Sequence, residues 1–171
     1  MNTVFWGPGL WTFLHSVTFN YPTKIDPKNK EHQERKKYTK ELFENLQYTL
    51  PCKYCRESFK EFLKKEPIER NLVGRGKLTR WLYRVHNLVN NKLRTQEFDA
   101  VESKFEELMK DIQSGKKNKS TAMKTLKEFT AKTMITEEDP SFDEVCAKYE
   151  EQRAKCARPK DSTVVASCRA L

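Results

Sequence analysis

Glycine is scarce in this chain, at five of 171 residues, and runs that alternate β-branched with polar residues are nearly missing. A sheet-rich fold draws on both, so their shortage argues against one. No apolar run approaches the ~20 residues that a membrane-spanning helix needs. The opening MNTVFWGPGLWTFLH has no basic start and is interrupted at Gly7, Pro8 and Gly9, so secretion by the usual signal-led route is not expected. Cysteine is sparse as well, and of the five only Cys52 and Cys55 stand close together.

Charge is abundant, with a net value of +9, but it is unevenly spread. Residues 1–94 carry 19 basic and 9 acidic side chains, residues 95–171 carry 14 and 15. A basic half can hold phosphate or nucleic acid. Here, however, Lys and Arg alternate with Glu, as in KKYTKELFENL and CRESFKEFLKKE. That is the pattern of a solvated helix surface, so nucleic-acid binding is not expected as the primary function, and no membrane association is expected either.

Apolar residues recur at intervals of three and four, which predicts an all-α fold. Expected helices cover 9–20, 31–50 (with Tyr38, Leu42, Phe43, Leu46 and Leu50 on one face), Pro51 to Glu66, 77–94 and 98–113. Pro51 suits a first helical position, Gly74 and Gly76 read as a flexible joint, and Gly115 ends the fifth helix. The polar segment QSGKKNKSTA reads as a linker. This divides the chain into a domain over 1–114 and an extension over 115–171, with two thin helices within 120–158 and disorder after Pro159.

The stretch LPCKYCRESF holds the pair Cys52 and Cys55 in the first turn of the third helix, where unpaired N–H groups favour a thiolate and thiol–disulfide exchange. Zinc sites use the same spacing, but two more ligands would have to come from His15, His32, His86 or the distal cysteines, none of which forms a second close pair. A thioredoxin-like domain lacks its βαβ context. Trp11 and His15, four apart, share a helix face and could grip a flat ring, or could be a core Trp beside a buried His. In WLYRVHNLVNNKL, His86 and Asn90 stand one turn apart in a strongly apolar helix, and polar groups buried there need partners. A polycyclic cofactor with a pyrophosphate would supply them, with Lys92 for its phosphates.

WGPGLWTFLH, then a helix, then PCKYC, then WLYRVHNLVNNKL resembles the Erv/ALR family of FAD-linked sulfhydryl oxidases over about residues 5–95, most like the short members of large cytoplasmic DNA viruses. The resemblance implies a four-helix bundle enclosing FAD with a short fifth helix. It implies that Cys52 receives electrons from a protein dithiol, such as a thioredoxin-like carrier, and that Cys55 lies against the flavin. Dioxygen would take the electrons and give hydrogen peroxide. Gly7, Trp11, His15, Trp81, His86, Asn87, Asn90 and Lys92 match the family's cofactor-binding positions, and members usually form homodimers through the first two helices. A cytoplasmic, viral-assembly or virion location follows, with the mitochondrial intermembrane space as the alternative.

The chain also departs from the family. Members commonly place a cysteine after Phe-Asp in the fifth helix, where this sequence reads Phe98-Asp99-Ala100, so Phe98, Val101 and Phe105 are expected to hold that helix by contact instead. Pro8 stands where a basic residue is usual, which leaves one phosphate contact unassigned. Cys146, Cys156 and Cys168 could shuttle electrons to the core pair, link subunits or remain free thiols. Cys146 and Cys156 are ten apart, ~15 Å along a continuous helix, and could bond only if that helix breaks. The reading from a different class is a helical binding module with a structural zinc at the CxxC, and a third is a degenerate FAD-binding scaffold.

Overall fold

A computed structural model describes residues 3–134 and 138–152. The expectations for Cys156, Cys168 and the stretch after Pro159 lie outside the described residues. Within them the fold is all-α, in six α-helices: α1 (Thr3–Phe19), α2 (Lys30–Thr49), α3 (Lys53–Lys65), α4 (Arg75–Gln113), α5 (Lys119–Thr133) and α6 (Phe142–Glu151), with a single 3-10 turn at Glu69–Asn71. Among the described residues no helix is long and apolar enough to cross a membrane.

The helices α1 to α3 and the first half of α4 enclose one core. Leu14, Tyr21, Phe43, Leu46, Phe59, Ile68, Leu72, Leu78, Trp81, Leu82 and Val85 are buried together, and Trp81 meets Phe43 edge-on with ring centres 5.0 Å apart. α2 starts at Asn29, whose side chain accepts the His32 N–H, and its outer face carries the i,i+4 pairs Lys37–Glu41 and Lys40–Glu44. Tyr38, grouped with the apolar face in the sequence, is exposed.

Several boundaries differ from the sequence expectation, each for a physical reason. α1 begins at Thr3 and runs through Gly7, Pro8 and Gly9. These residues are poor helix formers, but Trp6, Leu10 and Trp11 lie against the core and offset a propensity cost of ~1 kcal/mol per glycine and ~3 kcal/mol for the proline. Pro51 precedes α3 rather than opening it, and the cap is Cys52 itself. The segments expected as a fourth and a short fifth helix are one α4 of 39 residues, about 58 Å long, since Thr95-Gln96-Glu97 contains nothing that stops a helix. Phe98 and Phe105 are exposed and do not anchor its distal half. That half is held by continuity and by α5 folding back on it, with Leu108 and Ala122 both buried. Gly115, at φ +74°, ends the excursion after α4 in the left-handed conformation that favours glycine.

Gly74 is no flexible joint. A Cβ there would lie 2.4 Å from the carbonyl oxygen of Thr23. The loop after α1 and the start of α4 touch backbone to backbone: Ile25 N–H donates to Val73 O and Arg75 N–H to Pro22 O, at 3.0 and 2.9 Å. Tyr21 seals the junction by donating its hydroxyl to Leu72 O at 3.0 Å. This clasp fixes where α4 starts relative to α1, and so which α4 residues face the N-terminal half of α1.

Candidate functional site

The first turn of α3 does the chemical positioning. Cys52 has extended backbone and serves as the N-cap, and the Cys55 N–H donates to its Sγ at 3.4 Å. Unpaired amides at a helix start favour a thiolate at this position. The Cys52 thiol is accordingly held below its ordinary value, first by the hydrogen bond from the Cys55 thiol and then by the Cys55 N–H. Cys55 is pushed up to about 11, first by burial and then by its neighbour Cys52, while the Lys92 ammonium pulls it down. The reduced pair therefore holds its first negative charge on Cys52, with the Cys55 S–H donating to it.

Both thiols open into a cavity of about 450 Å³ between α1, α3 and α4, closed at one side by Leu46 of α2 and Leu50 just after it. Trp6, Gly7, Leu10 and Trp11 form its α1 wall, Ser58, Phe59 and Phe62 its α3 wall, and Val89, Lys92, Leu93 and Gln96 its α4 wall. Its size is that of a site for a medium-sized organic ligand, mostly apolar with a few polar groups. Lys92 reaches over the edge and donates to Ser58 Oγ, one turn on from Cys55. A shallower groove of about 490 Å³ lies beside it between α3 and α4, and shares Tyr54, Ser58, Phe62 and Lys92 with the cavity.

Beyond Trp11 the polar groups gather. The Trp11 ring stacks on His86 with centres 3.8 Å apart and planes 13° from parallel. His15 and Trp11 do share one face of α1, but their rings are 6.3 Å apart and tilted by 44°, so His86 and not His15 lies flat on Trp11. His15 Nε2 and His86 Nδ1 are hydrogen-bonded at 3.2 Å. Burial holds both imidazoles down at about 4, the first cause in each case, and His15 is lowered further by His86 and Lys148. Both are neutral at pH 7. Asn90, one turn after His86, donates to Asp139 Oδ1 at 2.7 Å, and Arg94 pairs with the other oxygen of that carboxylate at 2.6 Å.

Cys52, Cys55, Gly7, Trp11 and Lys92 thus share the cavity, with His15, His86 and Asn90 continuing from its Trp11 end. None of these last three lines the cavity itself, and neither does Asn87, which is turned about 100° around α4 from His86. Trp81 is placed elsewhere altogether: it is fully buried in the core, and its Nε1 donates to Glu66 O at 2.8 Å. Its spacing to His86 puts it on the core side of α4, and its contribution is structural. Cys146 is half-buried in α6 against Phe19, Val145 and Tyr149, and burial raises its thiol. Among the described residues no group of three or more His, Cys, Asp or Glu side chains could hold a metal ion, so the zinc reading finds no further ligand beside Cys52 and Cys55.

Sequence reasoning missed Trp6, Asp139 and Tyr149. Trp6 lines the cavity with an indole N–H that is buried and unpartnered among the described residues, and its place five before Trp11 was the available signal. The other two arrive from the far end of the chain, and no local pattern announces them.

The pattern that describes the Erv1 / Alr family matches residues 8–111, more than half of the chain, and takes in most of α1 through most of α4. The chain belongs to the Erv1 / Alr family. It is 36% identical over 87 residues to the FAD-linked sulfhydryl oxidase ERV1 of Arabidopsis thaliana, covering 51% of this chain and 41% of that protein. A probable FAD-linked sulfhydryl oxidase of Acanthamoeba polyphaga mimivirus is 37% identical over 86 residues, 50% of this chain and 56% of its own. The mitochondrial FAD-linked sulfhydryl oxidase ERV1 of Saccharomyces cerevisiae is 32% identical over 94 residues, 55% and 46% respectively. The chain therefore spans about half the length of the relatives it matches. Asp139 and α6, with Tyr149, lie beyond the residues the family pattern matches.

Proposed function

We propose that this chain is an FAD-dependent sulfhydryl oxidase, which makes disulfides in protein dithiols through Cys52 and Cys55. The observation that carries the reading is a dithiol with its first charge on the helix cap, opening into an apolar cavity walled by two tryptophans and edged by a lysine. The printed names of the Arabidopsis, mimivirus and yeast relatives support it.

The residues present fit FAD. Trp6 Nε1 and His15 Nδ1 are buried polar atoms with no partner among the described residues, a costly state that polar atoms of a ligand relieve. A Cβ at Gly7, on the cavity wall, would meet nothing within 4 Å, so the space beside it is open. Trp6, Gly7 and Trp11 with Cys55 would hold the flavin ring; His15, His86 and Asn90, with Asn87 at the margin, the adenosine part; and Lys92 a phosphate or the edge of the ring. The chemistry that bound FAD supplies is acceptance of an electron pair from a dithiol and its delivery to dioxygen, giving hydrogen peroxide.

The chain's own part is thiol–disulfide exchange. A substrate thiolate attacks Cys52 Sγ of the oxidised pair, the new bond forms there, and the Cys52–Cys55 bond breaks with Cys55 leaving as a thiolate. The second substrate thiolate then displaces Cys52, releasing oxidised substrate and two cysteine thiolates, and one proton taken up from solvent leaves the pair with two electrons and a single negative charge. For Cys55 to act toward the cavity, its proton moves to Cys52 Sγ, a transfer for which the hydrogen-bonded pair is already aligned. Lys92 favours the Cys55 thiolate that results.

The natural electron donor is a protein dithiol, in our reading a thioredoxin-like carrier, able to reach Cys52 over the exposed Tyr54. Phe5 and Phe13 of α1 and Tyr38 and Tyr48 of α2 are exposed, which supports a homodimer formed through those helices. We place the chain at a cytoplasmic viral assembly site or in a virion, with the mitochondrial intermembrane space as the alternative that the yeast relative's name favours. Oxygen uptake with dithiothreitol tests the activity: wild type should consume oxygen, and Cys55→Ala should lose turnover while it retains FAD. A Cys55→Ala protein that still oxidises dithiols refutes the assignment.

A further inference from the structure

Residues 138–152 fold back over the Trp11 end of the site, and two of the side chains they meet there, His15 and Asn90, are ones that the proposed function uses. Tyr149 stacks on His15 with centres 5.0 Å apart and on Phe19 at 5.3 Å. Asp139 binds Asn90 and Arg94. The segment is fastened by three further contacts. Tyr83 donates its hydroxyl to Pro140 O at 3.1 Å, Phe142 meets the Tyr83 ring edge-on, and the Arg80 guanidinium sits 4.2 Å over the Phe142 ring. α6 is itself well built, with a capping box in which Ser141 accepts the Glu144 N–H and Glu144 accepts the Ser141 N–H.

None of these residues lines the cavity. On α4, the residues they touch are Arg80, Tyr83, Asn90 and Arg94, whereas the cavity is lined by Val89, Lys92, Leu93 and Gln96 on the opposite side of His86. The segment therefore meets these side chains from the side of α4 turned away from the cavity. Asp139 takes one N–H of the Asn90 amide, and an amide has a second N–H and a carbonyl oxygen to offer a ligand. Tyr149 covers His15 and keeps water from its ring, while His15 Nδ1 stays buried and without a partner among the described residues.

Resting on the FAD reading above, we infer that Asp139 and Tyr149 are positioning residues of a clamp, the segment Asp139–Glu151, that presets Asn90 and His15 for the cofactor and so prolongs its stay. A plug that competes with the cofactor would project into the cavity, and this segment does not. The clamp acts through other side chains, so its signature is the cofactor's residence time.

The test uses the full-length protein loaded with FAD, diluted, with release followed by free-flavin fluorescence. Tyr149→Ala and Asp139→Ala should each release FAD at least about fivefold faster than wild type, the lower end of ordinary coupling between sites, at unchanged helix content. Tyr149→Phe keeps the ring and should release at the wild-type rate. By reciprocity, loading wild type with FAD should increase hydrogen-exchange protection of amides 142–151. That measurement decides the matter even where a variant fails to fold. Release at the wild-type or a slower rate from both alanine variants, release from Tyr149→Phe as fast as from Tyr149→Ala, or protection that stays the same or falls overturns the clamp. A wild type that holds FAD while the alanine variants release it normally refutes the clamp alone. A wild type that never takes up FAD refutes the functional reading and the clamp with it.

Discussion

Lowering the pH from 8 to 5 should destabilise this protein through two imidazoles. His15 and His86 are held at about 4 in the folded chain, against an ordinary value of 6.5, with burial the first cause for each. Between those two values the unfolded chain binds protons that the folded chain refuses, so stability is complete above pH 6.5 and is lost as pH falls toward 4. One imidazole displaced this far is worth about 3 kcal/mol in full and about 2 kcal/mol by pH 5. The two rings are hydrogen-bonded and would repel as cations, so their effects do not simply add, and the joint loss at pH 5 lies between about 2 and 4 kcal/mol. For a chain of this size that corresponds to a Tm lower by roughly 5–10 °C. The carboxylates Glu61, Glu69, Asp139 and Glu144 are held below their ordinary values by their hydrogen-bond partners, so the stability they add is lost at lower pH than that of the histidines. Urea unfolding followed by far-ultraviolet circular dichroism at half-unit pH steps measures the slope. A His15→Gln, His86→Gln double variant should flatten it. Stability that is level between pH 8 and 5, or a loss of equal size in the double variant, would refute the reasoning.

Three further outcomes are expected. In the reduced protein near pH 8, iodoacetamide should label Cys52 before Cys55, because the first is held low and the second is pushed up to about 11; peptide mapping that finds Cys55 labelled first would contradict the charge assignment. Gly74→Ala should cost about 1–3 kcal/mol, since the added methyl meets the Thr23 carbonyl at 2.4 Å and the clasp between the α1–α2 loop and α4 has to shift; an unchanged urea midpoint would show that the approach is looser. Trp81→Phe should destabilise by about 1–3 kcal/mol through the lost bond to Glu66 O and the volume removed, yet leave the spectrum of bound flavin as it is; a changed spectrum at full stability would bring Trp81 back into the cofactor site.

Much of this architecture is legible in the sequence because helices advertise themselves locally. The spacing of Phe43, Leu46 and Leu50, or of Leu78, Trp81, Leu82 and Val85, is enough to place α2 and the first half of α4 with their buried faces. The CxxC is legible too as a pair at the start of α3, although Pro51 reads as the first helical residue and the cap proves to be Cys52 itself. What fails is what depends on distant partners. The Gly-Pro-Gly stretch stays helical because Trp6 and Trp11 find a core to lie against. The apolar face of α4 loses its phase between Leu93 and Phe98, which reads as a break, yet a backbone with no Pro or Gly there has no cause to stop. The contact between Asn90 and Asp139 spans 49 positions, and that between His15 and Tyr149 spans almost the whole described chain. Only the folded arrangement brings them together.

The central claim is that electron pairs pass from the Cys52–Cys55 dithiol to a flavin held in the cavity beside it. Anaerobic titration of the purified, FAD-loaded protein with dithiothreitol, followed by the flavin's visible absorption, tests it most directly. Wild type should bleach and regain its colour when air is admitted, and Cys55→Ala should remain yellow throughout; a protein that takes up no flavin, or a Cys55→Ala variant that bleaches at the wild-type rate, would contradict the account.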